Sequence, residues 1–585
     1  MHARMKYFAL PLLIAAAIAQ APAPSRAFRT HLDQYQPPPV MSKAQWAKRA
    51  AYLREHVLAS TGLLPLPEKA ALNPVIFDEI TRDGYRVAKV YFESLPGFYV
   101  TGNLYRPPGA GPFPAVLSPH GHWKNGRLEN TDIVSGPGRA INLARQGFVV
   151  FSYDMIGYGD SRQLTHTFGG RRENIWGLSL SGLQLWDSIR SLDFLQALAD
   201  VEPDAIGVTG ESGGGTQTLM LAAVDDRAVV AVPVNMISLH MQGGCLCENP
   251  PGLRFDTTNV EIASTIAPRP MLMVSATGDW TNETLEVEYP AVRSIYTLFG
   301  AADRVAAVRF RAEHNYNKDS REAMYRWMAR WLQHAPADVE RQERPFTAEP
   351  ASDLLVLHSR ALPANALDAK GLTSWWIDAA SRQLDETPLS ERTAALRHSL
   401  GLTDDPIPVA AARTPRNRVV LVADEAGDLT RALRHAGYSP ETIAFTPFDA
   451  AAAAKVLYFE TYNRTQAAQR AVDIIAAARA NPAAALVASG DIALAAAIAL
   501  PFMPIRAAVL DVEGFDTSRD DDFLNRLYIP GVRRAGDFAT AATATQASIV
   551  FHNAGATFHA GRATVKQRKL TPSEILDILR RTVGT

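Results

Sequence analysis

Gly207-Val208-Thr209-Gly210-Glu211-Ser212-Gly213-Gly214-Gly215-Thr216-Gln217 reads as a short buried strand, a sharp turn carrying G-x-S-x-G, and the start of a helix. A serine pinned on such a turn points its hydroxyl into open space, and small residues are needed around it where backbones crowd. Ser212 is therefore the candidate nucleophile. A glycine-rich turn with a bystander serine would look the same in isolation, so the reading depends on what the rest of the chain supplies.

Outward from that turn, apolar runs alternate with helical segments. Ile76 to Ile80, Tyr85 to Ser94 and Tyr99 to Arg106 are separated by Arg82-Asp83-Gly84 and Pro96-Gly97, which predicts an antiparallel meander. Ala115 to Ser118, Phe148 to Ser152, Val229 to Val234, Met271 to Ala276 and Val308 to Ala312 then read as buried strands, with helices over Ala140 to Gln146 and Leu183 to Leu198. This order predicts a mostly parallel sheet with right-handed crossovers, whose chemistry sits at the carboxyl ends of its strands.

At those ends lie Asp279, after Met271 to Ala276, and His314, after Val308 to Ala312. A serine hydroxyl needs an imidazole to take its proton, and the imidazole needs a carboxylate to fix its tautomer and stabilise its charge. Asp303 precedes the last strand and strand alternation turns Glu313 away from its neighbour, so Asp279 is the acid; His240 precedes the acid, so His314 is the base. The backbone amides of Gly213 and His122, the latter in Pro119-His120-Gly121-His122-Trp123, are the expected oxyanion donors. His120 reads as a structural turn residue.

The chain has 585 residues, 47% of them hydrophobic, and a formal charge of -1. This length needs more than one core, and nothing basic enough to suggest nucleic acid appears. Arg4 and Lys6 precede an apolar run from Tyr7 to Ala19 ending in small residues, which predicts a signal peptide over residues 1–19 and an exported protein, periplasmic or secreted. That run is shorter than the roughly 20 apolar residues a membrane span needs, and no later segment looks membrane-spanning. The two cysteines form one C-x-C, Cys245 and Cys247, expected to shape a loop. Two cysteines alone make no tetrahedral zinc site, so neither metal nor cofactor is expected.

With these pieces placed, HGHW at His120 to Trp123, YDMIGYGDS at Tyr153 to Ser161, GESGGG at Gly210 to Gly215, TGDW at Thr277 to Trp280 and HNYN at His314 to Asn317 resemble the α/β-hydrolase superfamily. More narrowly the chain is similar to acetylxylan-esterase and dienelactone-hydrolase-like esterases. The resemblance implies ester hydrolysis through an acyl-enzyme, with Ser212 as nucleophile, His314 as base then acid, and Asp279 as orienter. Gly213 departs from it, since such acetylxylan esterases often carry glutamine after the serine. Trp123, Trp176 and Trp280 fall in loops expected over the strand ends, where an indole stacks on a sugar. Arg127, Arg171, Arg172 and Arg254 are candidates for a uronate carboxylate. The expected partner is an acylated carbohydrate of plant or microbial origin.

The catalytic domain is expected over residues 28–340, followed after a charged linker by a non-catalytic α/β domain over residues 351–585. Val419 to Val422, Lys455 to Phe459, Ala485 to Ala488, Ala507 to Leu510 and Ser548 to Phe551 read as its strands, separated by alanine-rich helices. It repeats the grammar of the first half but lacks G-x-S-x-G, with Asp491 where a nucleophile would stand. A degenerate hydrolase-like companion and an independent binding module both fit. Three rival functions remain at this stage: a uronate methyl or glucuronoyl esterase, a prolyl-oligopeptidase-like peptidase, for whose β-propeller there is no room before Ala115, and a non-catalytic carbohydrate-binding protein.

Overall fold

The computed structural model describes residues 28–403, 416–423, 428–480 and 483–583; the expected signal peptide lies outside them. Nine strands form the first sheet: β1 (Val75–Arg82), β2 (Tyr85–Leu95), β3 (Phe98–Arg106), β4 (Phe113–Ser118), β5 (Val149–Tyr153), β6 (Val201–Glu211), β7 (Ala228–Val234), β8 (Met271–Ala276) and β9 (Val305–Phe310). Their order is β1-β2-β3-β5-β4-β6-β7-β8-β9. The first three are antiparallel hairpins, and β4 to β9 run parallel. Gly84, at φ +80, makes the first hairpin turn, a conformation open to glycine and costly to most residues. Helices cover both faces, so the central strands are buried on both sides, which is why they read as unbroken apolar runs.

A second sheet contains β10 (Arg416–Ala423), β11 (Ser439–Thr442), β12 (Ala483–Ser489), β13 (Ala507–Asp511), β14 (Ser548–His552) and β15 (Thr564–Val565), all parallel, in the order β11-β10-β12-β13-β14-β15. That is the order of β5-β4-β6-β7-β8-β9 again. The second sheet therefore repeats the parallel part of the first without its antiparallel lead-in. At the turn after β12 the left-handed position falls on Gly490, at φ +61, rather than on Asp491, which opens the following helix and pairs with Arg526 at 2.9 Å. The place of a nucleophile thus carries no side chain.

One expected strand is absent. Lys455-Val456-Leu457-Tyr458-Phe459 forms a turn, with Tyr458 at φ +55, leading into the short helix Phe459–Tyr462. Its aromatic residues bury against the first half instead of pairing in a sheet: Phe459 meets Phe28 and Tyr462 donates to Asn249. Leu457 is 55% exposed, so the apolar run is not the buried stretch that a strand would need.

The two halves are closely joined. One hydrophobic cluster runs continuously from β4, β5 and β6 through the helices Lys43–Ser60, Leu180–Gln196 and Gly213–Val224 into β12, β13 and the helix Gly490–Ala499, buried from Ala493 onward. Polar contacts reinforce it. The buried Arg534 guanidinium donates to the carbonyls of Gly62 and Pro65, while Gly252 and Arg254 amides donate to Glu460 and Thr461. Among the described residues, no helix is long and apolar enough to cross a membrane.

Asp187, on the helix Leu180–Gln196, is enclosed in this cluster, and burial raises its carboxyl to about 7. In the unfolded chain it titrates near 4. Between those values the unfolded state has released a proton that the folded state keeps, so this group's contribution to stability falls as pH rises from about 4 to about 7 and is level above. Asp187→Asn keeps the neutral form. Its stability relative to the native chain is expected to grow across that window by about 1.4 kcal/mol per pH unit and then plateau. Urea unfolding at pH 5 and pH 8 measures this, and a difference independent of pH would refute it.

Candidate active site

β6 ends at Glu211, and Ser212 takes φ 56, ψ -121 before the helix Gly213–Val224 begins. A non-glycine residue held there stores on the order of 1–3 kcal/mol of backbone strain, which the surrounding packing must hold. The turn is tight enough to require its glycines: a Cβ at Gly210 or Gly214 would sit 2.4 or 2.6 Å from the Pro119 carbonyl oxygen. Gly213 supplies the first amide of the helix, which has no partner four residues back.

The candidate acid and base come from neighbouring strand ends. Asp279 Oδ1 accepts the Thr281 amide and hydroxyl, and Oδ2 lies 3.0 Å from His314 Nδ1. The Asp279 side chain is 2% exposed and that of His314 26%. With Nδ1–H donated to the carboxylate, the Nε2 lone pair is the free face of the imidazole. The ring lies near two indoles, with centroids 4.5 Å from Trp280 and 6.1 Å from Trp123. The segment after it is anchored to the nucleophile's own strand, since Tyr316 OH and Thr209 Oγ1 are 2.6 Å apart. His240, the rival base, instead pairs with Glu283.

The loop after β4 lies against the turn: a Cβ on Gly121 would be 3.2 Å from Ser212 Cβ. The Trp123 amide donates to the Gly121 carbonyl at 2.9 Å, placing His122 at the apex of a three-residue turn. His120 is buried; its Nε2 accepts the Met155 amide and its Nδ1 donates to Gly121, and desolvation lowers it to about 3, so it is neutral and structural.

Sequence reasoning missed Glu211, the residue before the candidate nucleophile. Its Oε1 accepts the Gly121 amide at 3.1 Å and the Trp123 indole at 2.8 Å, and its Oε2 pairs with the buried Arg139 at 2.7 Å. Burial works to raise this carboxyl, and Arg139 with the two N–H donors outweighs it, holding Glu211 below its ordinary value. One buried carboxylate thus joins the turn, the β4 loop and the indole beside His314.

Five of the seven expected substrate residues are engaged elsewhere. Trp176, 6% exposed, donates its indole N–H to Asp520 and lies under Arg533, so it belongs to the contact between the two halves. Arg254 is 0% exposed, and its neighbours include Tyr35 and Tyr462, whose segment covers it. Arg127 is likewise enclosed with Asp154 and Asp160, while Arg171 and Arg172 face Tyr528 and Asp520. Trp123 and Trp280 remain beside the imidazole.

The C-x-C loop, expected only to shape itself, reaches the same strand ends. Cys245 and Cys247 meet His122 and His166, with one donor atom of each residue within 4.8 Å of every other. No local sequence signal joins these four, because the sheet order alone brings their loops together.

Residues 97–344 match the family described as X-Pro dipeptidyl-peptidase (S15 family). A protein of Bacillus subtilis (strain 168) named putative hydrolase YtaP is 29% identical over 256 residues, covering 41% of this chain and 84% of its own. Among solved structures, methylesterase BT1017 is 29% identical, with TM-score 0.49, over 59% of this chain and 78% of its own. A putative acetyl xylan esterase from Bacteroides fragilis NCTC 9343 is 18% identical, with TM-score 0.39, over 46% and 76%. A glucuronoyl esterase from Solibacter usitatus is 14% identical, with TM-score 0.39, over 52% and 97%.

Removing the Glu211 carboxylate leaves Arg139 buried without its partner, so Glu211→Ala is expected to cost about 3–5 kcal/mol of stability. In a double-mutant cycle, Glu211→Ala with Arg139→Ala is expected to cost clearly less than the two singles summed. Denaturant unfolding of the four proteins checks both, and additive losses would remove the pair from this role.

Proposed function

With residues 97–344 an α/β hydrolase matching the S15 family, we propose that the protein is an exported serine carboxylic ester hydrolase that frees short acyl groups, acetyl foremost, from carbohydrate. The observation that carries this reading is the Asp279–His314 hydrogen bond, read with a serine held at positive φ in a strand-to-helix turn. His314 Nε2 takes the Ser212 proton as Oγ attacks the ester carbonyl, and the Gly213 and His122 amides meet the oxyanion. Collapse expels the sugar hydroxyl, which receives its proton from His314, and leaves an acyl-serine. Water then attacks with His314 again as base, releasing the acid and restoring Ser212. Asp279 holds the imidazole tautomer and balances its charge throughout. Trp123 and Trp280 supply an aromatic wall against which a sugar ring stacks. The second half acts as a non-catalytic companion.

One observation favours a second reading, cleavage after proline in peptides, because the family matched over residues 97–344 is named for that activity.

The test is turnover of chromogenic acetate and butyrate esters, acetate release from acetylated xylan, and cleavage of an X-Pro p-nitroanilide, each beside Ser212→Ala. Acetate-preferring turnover, lost in Ser212→Ala and accompanied by acetate release, is the expected result. Turnover on the esters without acetate release moves the substrate to uronate methyl or glucuronoyl esters, and X-Pro cleavage alone establishes the peptidase. No turnover by the folded protein on any of them sinks the catalytic reading. Asp279→Asn is expected to lower kcat by about ten-thousand-fold, because it leaves the wrong imidazole tautomer facing the serine.

A further inference from the structure

We propose that His122, His166, Cys245 and Cys247 bind one thiophilic divalent cation, zinc foremost, as a closed Cys2His2 site that fastens the loop after β4 to the nucleophile turn. The four donors converge from three separate loops at the strand ends, all mutually within 4.8 Å. His122 Nε2 lies 3.1 Å from Cys247 Sγ, and the two imidazoles meet edge to face at 5.0 Å. With metal–sulfur bonds of about 2.3 Å and metal–nitrogen bonds of about 2.0 Å, donors around a tetrahedral zinc stand roughly 3.3–3.8 Å apart. The cluster needs only a small contraction to reach that spacing.

Three features prepare it. His166 donates Nδ1–H to the Ile156 carbonyl at 2.6 Å, which fixes the tautomer with its lone pair on Nε2. That Nε2 is buried and has no hydrogen-bond partner, as expected of a ligand atom held by a carbonyl on its other nitrogen. Finally, Glu248 braces the C-x-C loop by accepting the Gly244 and Cys245 amides and the Thr216 hydroxyl, and Thr216 stands on the helix that Ser212 opens. Alternation does the rest, since Leu246 is exposed while Cys247 is buried.

Binding balances as one cation plus two thiols and two neutral imidazoles giving a neutral complex and two released protons. Two thiolates and two imidazoles select zinc over calcium or magnesium, and four protein ligands leave no open position for a reacting water. The ion is therefore structural. It fixes His122, whose ring lies so close to the turn that a Cβ on Gly213 would be 2.5 Å from it. Metal binding stands independently of the ester reading; only its effect on turnover rests on it.

The test uses the full chain carrying Ser212→Ala, so that binding is read without turnover. After incubation with zinc and removal of the excess, metal analysis is expected to find one zinc per chain, with both thiols protected from alkylation until a chelator is added. Cobalt replacement is expected to give thiolate charge-transfer bands and the intense visible bands of a tetrahedral ion. The same experiment with Cys247→Ser and with His166→Ala is expected to lose that spectrum. If these variants misfold, the cobalt spectrum of the unsubstituted site still decides. A folded protein that takes up no zinc, zinc retained in Cys245→Ser/Cys247→Ser, or a Cys245–Cys247 disulfide in the purified protein would each overturn the proposal. In the chain with Ser212 present, chelation is expected to lower kcat at least tenfold.

Discussion

The left-handed backbone at Ser212 is the constraint from which the rest of the site follows. A residue at φ 56 that is not glycine has to be held by its surroundings, and every contact that holds it also places a functional group. Its amide donates to the β7 carbonyl of Val234, binding the turn to the next strand. The Pro119 carbonyl packs so closely over Gly210 and Gly214 that no side chain fits at either position. The loop carrying His122 is thereby pressed onto the first amide of the helix. The strain at Ser212 and the packing of the His122 loop against Gly213 are one arrangement.

Glu211 is the electrostatic half of the same arrangement. A buried carboxylate is costly unless fully paired, and this one has Arg139 on one oxygen and two N–H donors on the other. A single side chain satisfied this way fixes the relative positions of β6, the β4 loop and Trp123, and through Trp123 the wall beside His314. The Cys2His2 cluster braces that loop from its other side, at His122. Glu211 and the cluster thus grip one short segment from two directions, which is what an oxyanion donor needs if it is not to reorganise during reaction.

The sequence made the strands of the first sheet legible, because hairpin glycines and unbroken apolar runs are local signals. It also singled out Ser212, Asp279 and His314 as candidates, because each closes or follows a strand, and the structure brings Asp279 and His314 into hydrogen-bond contact. Trp176 and Arg254 went astray for the opposite reason: loops that look solvent-facing in a single domain are covered by the second one. Lys455 to Phe459 misled in the same way, its apolar residues answering to a docking surface rather than to a sheet. The C-x-C was discounted because a tetrahedral site needs four donors and two were visible; His122 and His166 come to it only through strand order.

The second half repeats the strand order of the first and puts Gly490 where Ser212 would stand. Glycine takes the left-handed turn without strain, so nothing in that turn stores the strain that a nucleophile's exposure demands. Its helix Gly490–Ala499 is almost wholly alanine, leucine and isoleucine, and its core is continuous with that of the first half. The segment through Tyr458 to Tyr462 reaches across to hold Gly244, Asn249 and Arg254, the stretch flanking the two cysteines. The second half, whose corresponding turn carries glycine, thus holds the stretch that flanks the two cysteines of the first half.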